Sequence, residues 1–280
     1  MHNYVTESGS TEFDYGCATP QSCTHSFSTI FGRRSEGHHV KCTVCCDDSS
    51  LCNQDLSCNS TVELPLVLPR ECSDLKLPPG RSGVYTIYPY GKVQPAVSVF
   101  CEVDESVHSW TVIQRRFNGS VSFYRDWQTY KNGFGSPFGE YWLGNDVIHE
   151  LTSDSNHALM IKMTDMGDVS KFAEYLSFHV SSEDNQYSMM VSKYDGTAGD
   201  SFSDLSGQKF STYDRDNDEW PDHCAVTFKG AWWYKACHGS NLNGLYLAGH
   251  HDEFATGINW FEWHGHYYSL KTTEMMIRKY

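Results

Sequence analysis

Three aspartates alternate with other polar residues in Asp214-Arg-Asp-Asn-Asp218. In extended or looped backbone, residues two apart point the same way. Carboxylates on one side repel one another unless a cation sits between them. A hard cation such as Ca²⁺ takes about six to eight oxygens, from carboxylates, backbone carbonyls and water. The stretch is not an EF-hand: counted from Asp214, the Gly position holds Glu219 and the terminal Glu position holds Ala225. On composition alone it reads more readily as a solvated acidic loop, since charge runs are usually solvated. Cys224 and Cys237 follow, thirteen residues apart. In an oxidising compartment, a bridge here would contribute roughly 3 kcal/mol by chain entropy. Between them lies Phe228-Lys-Gly-Ala-Trp-Trp-Tyr234. On a strand, Trp232 and Trp233 would face opposite sides, sending at least one into a core. His238, Gly239, Ser240, Asn241, Asn243 and Gly244 then read as a loop whose polar side chains hydrogen-bond locally.

These groups need a scaffold. Val97-Ser-Val-Phe-Cys101 reads as a strand, and Trp110 to Phe117 as another that feeds a turn at Asn118-Gly119. Alternation predicts strands over Ala158 to Thr164, Glu174 to Val180 and Tyr187 to Tyr194, and a last one over Glu274 to Tyr280. Short helices are expected over Asp126 to Tyr130 and Asn145 to Leu151, with Asn145 as N-cap. After Gly196 the sequence turns rich in Gly, Asn, Asp and Ser, which is loop chemistry.

With 21 Lys and Arg against 35 Asp and Glu, the formal net charge is −14. That opposes nucleic-acid binding, which depends on basic side chains neutralising phosphates. It also disfavours general attraction to anionic membranes. No apolar run approaches the ~20 residues of a membrane span. Seven of the eleven cysteines lie between Cys17 and Cys58, the pattern of an extracellular disulfide framework. Asn59-Ser-Thr61 and Asn118-Gly-Ser120 match the N-glycosylation acceptor pattern. The N-terminus lacks the basic start and apolar core of a secretory signal, so the true beginning is expected to lie upstream. Residues 59–70, with Pro65 and Pro69, read as a linker.

Several motifs carry a resemblance. Ser82-Gly-Val-Tyr-Thr-Ile87, Trp110-Thr-Val-Ile-Gln-Arg-Arg116, Gly133-Phe-Gly135, Gly139-Glu-Tyr-Trp-Leu-Gly-Asn-Asp146, Gly196-Thr-Ala-Gly-Asp200, Gly257-Ile-Asn-Trp260 and Tyr268-Ser-Leu-Lys271 fall in order across residues 71–280. Together with the Phe210 to Gly244 stretch they resemble the fibrinogen C-terminal globular domain of fibrinogens, ficolins, tachylectins, angiopoietins and tenascins. The resemblance implies an α+β fold with a mainly antiparallel twisted sheet and a loop-rich subdomain carrying the sites. It implies a Cys72–Cys101 bridge besides Cys224–Cys237, and it makes calcium the favoured reading of the acidic loop. The expected ligands are the Asp216 and Asp218 side chains and the Trp220 and Asp222 carbonyls, with Asp214 as an outer-shell or steering acid.

The ficolin-like and tachylectin-like members also imply an acetyl-group pocket. Its cis peptide maps to Cys237-His238, its walls to Phe228 and Phe254, and its rim to His266. Relatives often carry Tyr at the wall positions and sometimes Trp at the rim, so Phe here keeps the apolar face and loses the hydroxyl. The alternative is that Phe228 and Phe254 are ordinary core aromatics. His250, His251, His264 and His266 make no catalytic zinc spacing and are expected as exposed loop residues.

Residues 1–58 end with Cys45-Cys46, five intervening residues, and Cys52-Asn53. That resembles the last part of a three-finger domain, which implies Cys23–Cys45 and Cys46–Cys52 bridges and leaves Cys17, Cys42 and Cys58 unassigned. A linker with incidental cysteines, and zinc held by Cys42, Cys45, His38 and His39, are the alternatives. The domains expected are therefore residues 1–58, a linker over 59–70, and a globular domain over 71–280. The functions to separate are a secreted calcium-dependent lectin for acetylated glycans, assembling as a homo-oligomer for avidity, and an extracellular protein-binding module on the same fold. No nucleophile–base constellation supports an enzyme.

Overall fold

The structure is a computed structural model. It describes the backbone of residues 2–5, 11–14 and 39–43, and both backbone and side chains of residues 68–91, 95–154 and 156–280. The protein divides into Met1–Leu66 and Val67–Tyr280. In the first unit, β1 (His2–Val5) pairs antiparallel with both β2 (Thr11–Asp14) and β3 (His39–Thr43). The expected Cys23–Cys45 and Cys46–Cys52 bridges, and Asn59, lie outside the described residues.

The second unit starts four residues ahead of the expected Glu71. The carbonyl of Pro69 accepts the N–H of Tyr88, and the Arg70 guanidinium donates to Pro89 and Glu150. The end of the expected linker is thereby part of the globular fold.

The central sheet has nine strands, all paired antiparallel. In chain order they are β4 (Gly83–Ile87), β5 (Val97–Val103), β6 (Ser109–Arg116), β7 (Phe134–Gly135), β8 (Tyr141–Trp142), β9 (His157–Thr164), β10 (Ser170–Val180), β11 (Met189–Gly196) and, after the loop region, β16 (Thr272–Lys279). The spatial order is β11-β10-β9-β16-β6-β5-β4, with β8 on β6 and β7 on β8. The last strand therefore sits between the two halves of the sheet. Alternation explains the faces: Leu159, Ile161 and Met163 of β9 are buried, while Met160, Lys162 and Thr164 look the other way. In β16 a register shift between Met275 and Met276 buries both. The Cys72–Cys101 bridge is formed, tying the opening segment to β5.

Helix α1 (Trp127–Asn132) begins at Asp126, whose carboxylate accepts the Thr129 N–H at 2.7 Å. Helix α2 (Asn145–Thr152) is capped differently from expectation. Gly144 is its N-cap, at φ 108°, and the Asn145 side-chain Oδ1 instead accepts the indole N–H of Trp142 at 2.9 Å. Between Gly196 and β16 regular structure shrinks to a 3-10 turn (Ser203–Leu205), the single-turn helices α3 (Cys224–Thr227) and α4 (Phe261–His264), and short strand pairs. These pairs are β12 (Ser240–Asn241) with β14 (Asn259–Trp260), and β13 (Gly249–His250) with β15 (Tyr268–Ser269). No helix among the described residues is long and apolar enough to cross a membrane.

Candidate binding site

The acidic loop is clamped to helix α1. The Asp214 carboxylate accepts the backbone N–H of Trp127 at 2.9 Å and the hydroxyl of Thr212 at 2.6 Å. Arg215 lies 4.0 Å over the Trp127 ring. Asp216 and Asp218 are left facing one another. A carboxylate oxygen of each, with a ring nitrogen of His223, lies within 4.8 Å of the others. The Asp218 carboxylate accepts the N–H groups of Trp220 and Cys224, both at 3.0 Å. Burial, then the neighbouring Asp216, nevertheless pushes its pKa up to about 6. A cation between the two acids would relieve that repulsion. Among the described residues, the Trp220 and Asp222 carbonyls accept no backbone hydrogen bond. Two carboxylates and two carbonyls are a donor set that fits a hard divalent cation. His223 was not anticipated. Its Nδ1 is buried without a hydrogen-bond partner, 3.9 Å from Asp216.

The disulfide carries this loop to the next element. Cys224 and Cys237 are bridged, with Cα atoms 5.8 Å apart. The cis peptide is Ala236–Cys237, one residue before the expected Cys237–His238. The Lys235 N–H donates to the Cys237 carbonyl at 2.8 Å, so the backbone doubles back at Ala236–Cys237 and His238 lies beyond the turn.

The pocket residues converge on His238. Its ring centroid lies 5.0 Å from that of Phe228, 5.6 Å from Tyr234 and 5.6 Å from His266. Phe254 lies 6.4 Å from Phe228 and 5.0 Å from His266. Phe228 is partly buried and packs against the hydrophobic core, while Phe254 is exposed. Both ring nitrogens of His238 are sealed from solvent without a hydrogen bond of normal geometry. Burial, with His266 adding to it, pulls the His238 pKa down to about 3. Burial also lowers that of His266. Both imidazoles are therefore neutral at physiological pH. Of the four clustered histidines only His250 is exposed. His264 bonds Asp165 at 3.1 Å and stacks on Tyr268, and both ring nitrogens of His251 are buried.

Buried amides hold the walls in place. Asn241 Nδ2 donates to the Phe228 carbonyl at 3.1 Å, and its Oδ1 accepts the Tyr234 hydroxyl at 2.8 Å. Asn259 Nδ2 donates to the carbonyls of His266 and Tyr268. Asn243 donates to Ala231, and Gln114 and Arg116 of β6 donate to the Leu242 carbonyl. The loop reading was right about polarity and wrong about range: these side chains bond across the fold. A Cβ on Gly230 would come within 2.5 Å of Asn241 Oδ1, so this close approach requires glycine. Trp232 and Trp233 are both fully buried. They do not alternate on a strand; a single bridge joins Trp232 to Ser211. Asn118 is exposed, with its side-chain oxygen accepting the Ser120 N–H.

A separate cleft of 640 Å³ opens on the sheet, lined by residues including Arg115, Lys162, Phe172 and Glu274. None of its lining residues belongs to the acidic loop or to the turn at Cys237.

The family profile described as fibrinogen beta and gamma chains, C-terminal globular domain, matches residues 68–280. The protein belongs to this fibrinogen family. It is 47% identical over 218 residues to microfibril-associated glycoprotein 4 of Mus musculus, covering 75% of this chain and 84% of the relative. It is 46% identical over 224 residues to ryncolin-4 of Cerberus rynchops, covering 79% of this chain and 64% of the other. Among solved structures, the fibrinogen-like globe domain of human ANGPTL2 superposes with a TM-score of 0.72 at 42% identity. That match covers 75% of this chain and 99% of the globe domain. In this fibrinogen-family domain, His223 also stands with the two aspartates, and Phe261 and Tyr267 lie outside the His238 corner, against His266 and Phe254. No spacing rule marked them.

Proposed function

We propose that this fibrinogen-family protein is a secreted, calcium-dependent lectin that recognises acetyl groups. One observation carries the reading. The neutral His238 meets Phe228 edge to face, Phe254 stands 6.4 Å from Phe228, and both buried imidazole nitrogens lack a hydrogen bond of normal geometry. A methyl group fits apolar aromatic walls, and a neutral imidazole can pair with an acetamide's polar atoms once a neighbouring side chain shifts to open its buried nitrogens. Calcium on Asp216, Asp218 and the carbonyls of Trp220 and Asp222 would fix the loop that the Cys224–Cys237 bridge ties to this turn. Two formed disulfides and the exposed acceptor Asn118 support an oxidising, extracellular setting. The test is retention on N-acetylglucosamine resin in calcium, with elution by free acetate and by chelator. Absence of retention overturns the reading.

The 47% identity to a microfibril-associated glycoprotein favours a second reading, an extracellular protein-binding module without sugar recognition. Failure of the parent to bind acetylated resin, together with retention of a protein partner by parent and His238→Ala variant alike, would select it.

A further inference from the structure

The pocket does not end at its four convergent rings. Phe261 lies 4.9 Å from His266, and Tyr267 lies 5.4 Å from Phe254. Phe254, Phe261 and Tyr267 are 52%, 50% and 52% exposed. Three half-exposed aromatic rings thus bracket His266 on the solvent side of His238. Isolated surface aromatics need no explanation, but a contiguous group continuous with a pocket marks a binding surface. Aromatic faces carry negative charge density and attract the weakly positive C–H edges of a ring lying on them. A pyranose presents such C–H groups from one face.

Charge narrows the ligand further. Asp252 and Glu253 precede Phe254, Glu262 follows Phe261, and all three acids are exposed. The two lysines of the site segment are turned elsewhere. Lys229 lies 5.6 Å over the Tyr124 ring, and Lys235 pairs with Asp204 at 3.4 Å. The two imidazoles supply no positive charge. With Asp216 and Asp218 neutralised by a cation, the acids beside the rim would still stand without a countercharge among these segments.

Resting on the acetyl-pocket reading, we propose that Phe254, Phe261 and Tyr267 form a stacking platform for the ring of an uncharged acetylated sugar, and that Asp252, Glu253 and Glu262 exclude acidic ones such as sialic acids. The acetyl group would enter the His238 pocket while the pyranose lies on the outer rings.

The test is an NMR titration of the calcium-loaded protein with acetamide, N-acetylglucosamine and N-acetylneuraminic acid. N-acetylglucosamine should bind tighter than acetamide. N-acetylneuraminic acid should bind more weakly than N-acetylglucosamine at low salt, and the gap should narrow as salt screens the acids. Phe261→Ala and Tyr267→Ala should each weaken N-acetylglucosamine by about 2–10-fold, the scale of one aromatic contact, and leave acetamide unchanged. Phe261→Leu restores bulk without a flat face, so it should rescue stability and not sugar affinity. Two outcomes overturn the platform while leaving the pocket intact: unchanged N-acetylglucosamine affinity in both alanine variants, or equal affinity for the neutral and acidic sugars at low salt. Binding of none of the three probes overturns the acetyl pocket itself, and the platform with it.

Discussion

Phe228 and His238 meet edge to face, with ring centroids 5.0 Å apart and planes at 90°. The two residues come from opposite ends of the Cys224–Cys237 loop. Phe228 is the C-cap of helix α3, which starts at Cys224. His238 directly follows the cysteine that bridges back to that helix. The Asp218 carboxylate accepts the Cys224 N–H at 3.0 Å. The acidic loop, the disulfide and both rings of the pocket corner are thus one connected unit, so a change at the acids can alter the corner without touching a ligand.

The proposed calcium site should show in stability. Calcium at 100 times its dissociation constant should stabilise the protein by about 2.7 kcal/mol, a Tm rise of roughly 5–11 °C for a domain of this size. Asp216→Asn should abolish most of the calcium-dependent rise and leave the Tm in chelator nearly unchanged, because Asp216 is exposed. Differential scanning calorimetry with and without chelator reads both. Equal rises in parent and variant would contradict the ligand assignment.

His238 gives a pH signature. Its folded pKa of about 3 lies below the ordinary 6.5. Above pH ~6.5 the ring is neutral in both states, and its sealed position carries no protonation penalty. As pH falls from about 6.5 towards 3, the unfolded state takes up a proton that the folded state refuses. Stability then drops by up to ~1.4 kcal/mol per pH unit from this residue. Carboxylates contribute acid sensitivity of their own, so the comparison must be with His238→Phe. Urea unfolding at pH 7.0 and 4.5 should show a smaller acid loss in the variant; identical losses would refute a sealed, neutral histidine.

Much of this architecture was legible because it rests on local rules. Alternation located β9, β10 and β16, and the ordered motifs located the family. The spacing of Cys224 and Cys237 suggested their bridge. What escaped depends on long-range geometry. Asn145 looked like a cap, but Trp142 holds its side chain. Asp214 looked like its neighbours, yet helix α1 claims its carboxylate. Asn241 and Asn243 looked like turn residues and are fully buried amides. Phe261 and Tyr267 had no periodic signal, since Phe261 opens the single-turn helix α4 and Tyr267 stands in a bend, both too short to show a period.

Cysteine parity gives a prediction about assembly. The four cysteines of the globular unit are consumed in two bridges. The remaining seven lie between Cys17 and Cys58, and an odd number cannot all pair within these 280 residues. At least one thiol per molecule should remain free or join a second copy. Non-reducing electrophoresis of the protein, secreted under oxidising conditions, should show a dimer that collapses on reduction, or a monomer that reacts with one equivalent of a thiol reagent. A monomer without reactive thiol would contradict the parity argument.

The strongest test of the pocket's support is the Asn241–Tyr234 pair, because both groups are fully buried and bonded at 2.8 Å. Asn241→Ala strands the Tyr234 hydroxyl and the Phe228 carbonyl, each a loss of about 1–3 kcal/mol. A Tm drop of roughly 4–24 °C follows at ~2–4 °C per kcal/mol. Tyr234→Phe strands only the Asn241 oxygen and should cost less. In the double variant the hydroxyl is absent, so its loss is not counted twice, and the two effects should couple by about 0.5–3 kcal/mol. Ligand affinity should divide differently. Only Asn241 bonds the Phe228 carbonyl, so its removal frees that wall, and acetyl binding should fall in Asn241→Ala and in the double variant but hold in Tyr234→Phe. Equal affinity in all three would mean that the Phe228 wall is held by packing and not by the buried amide.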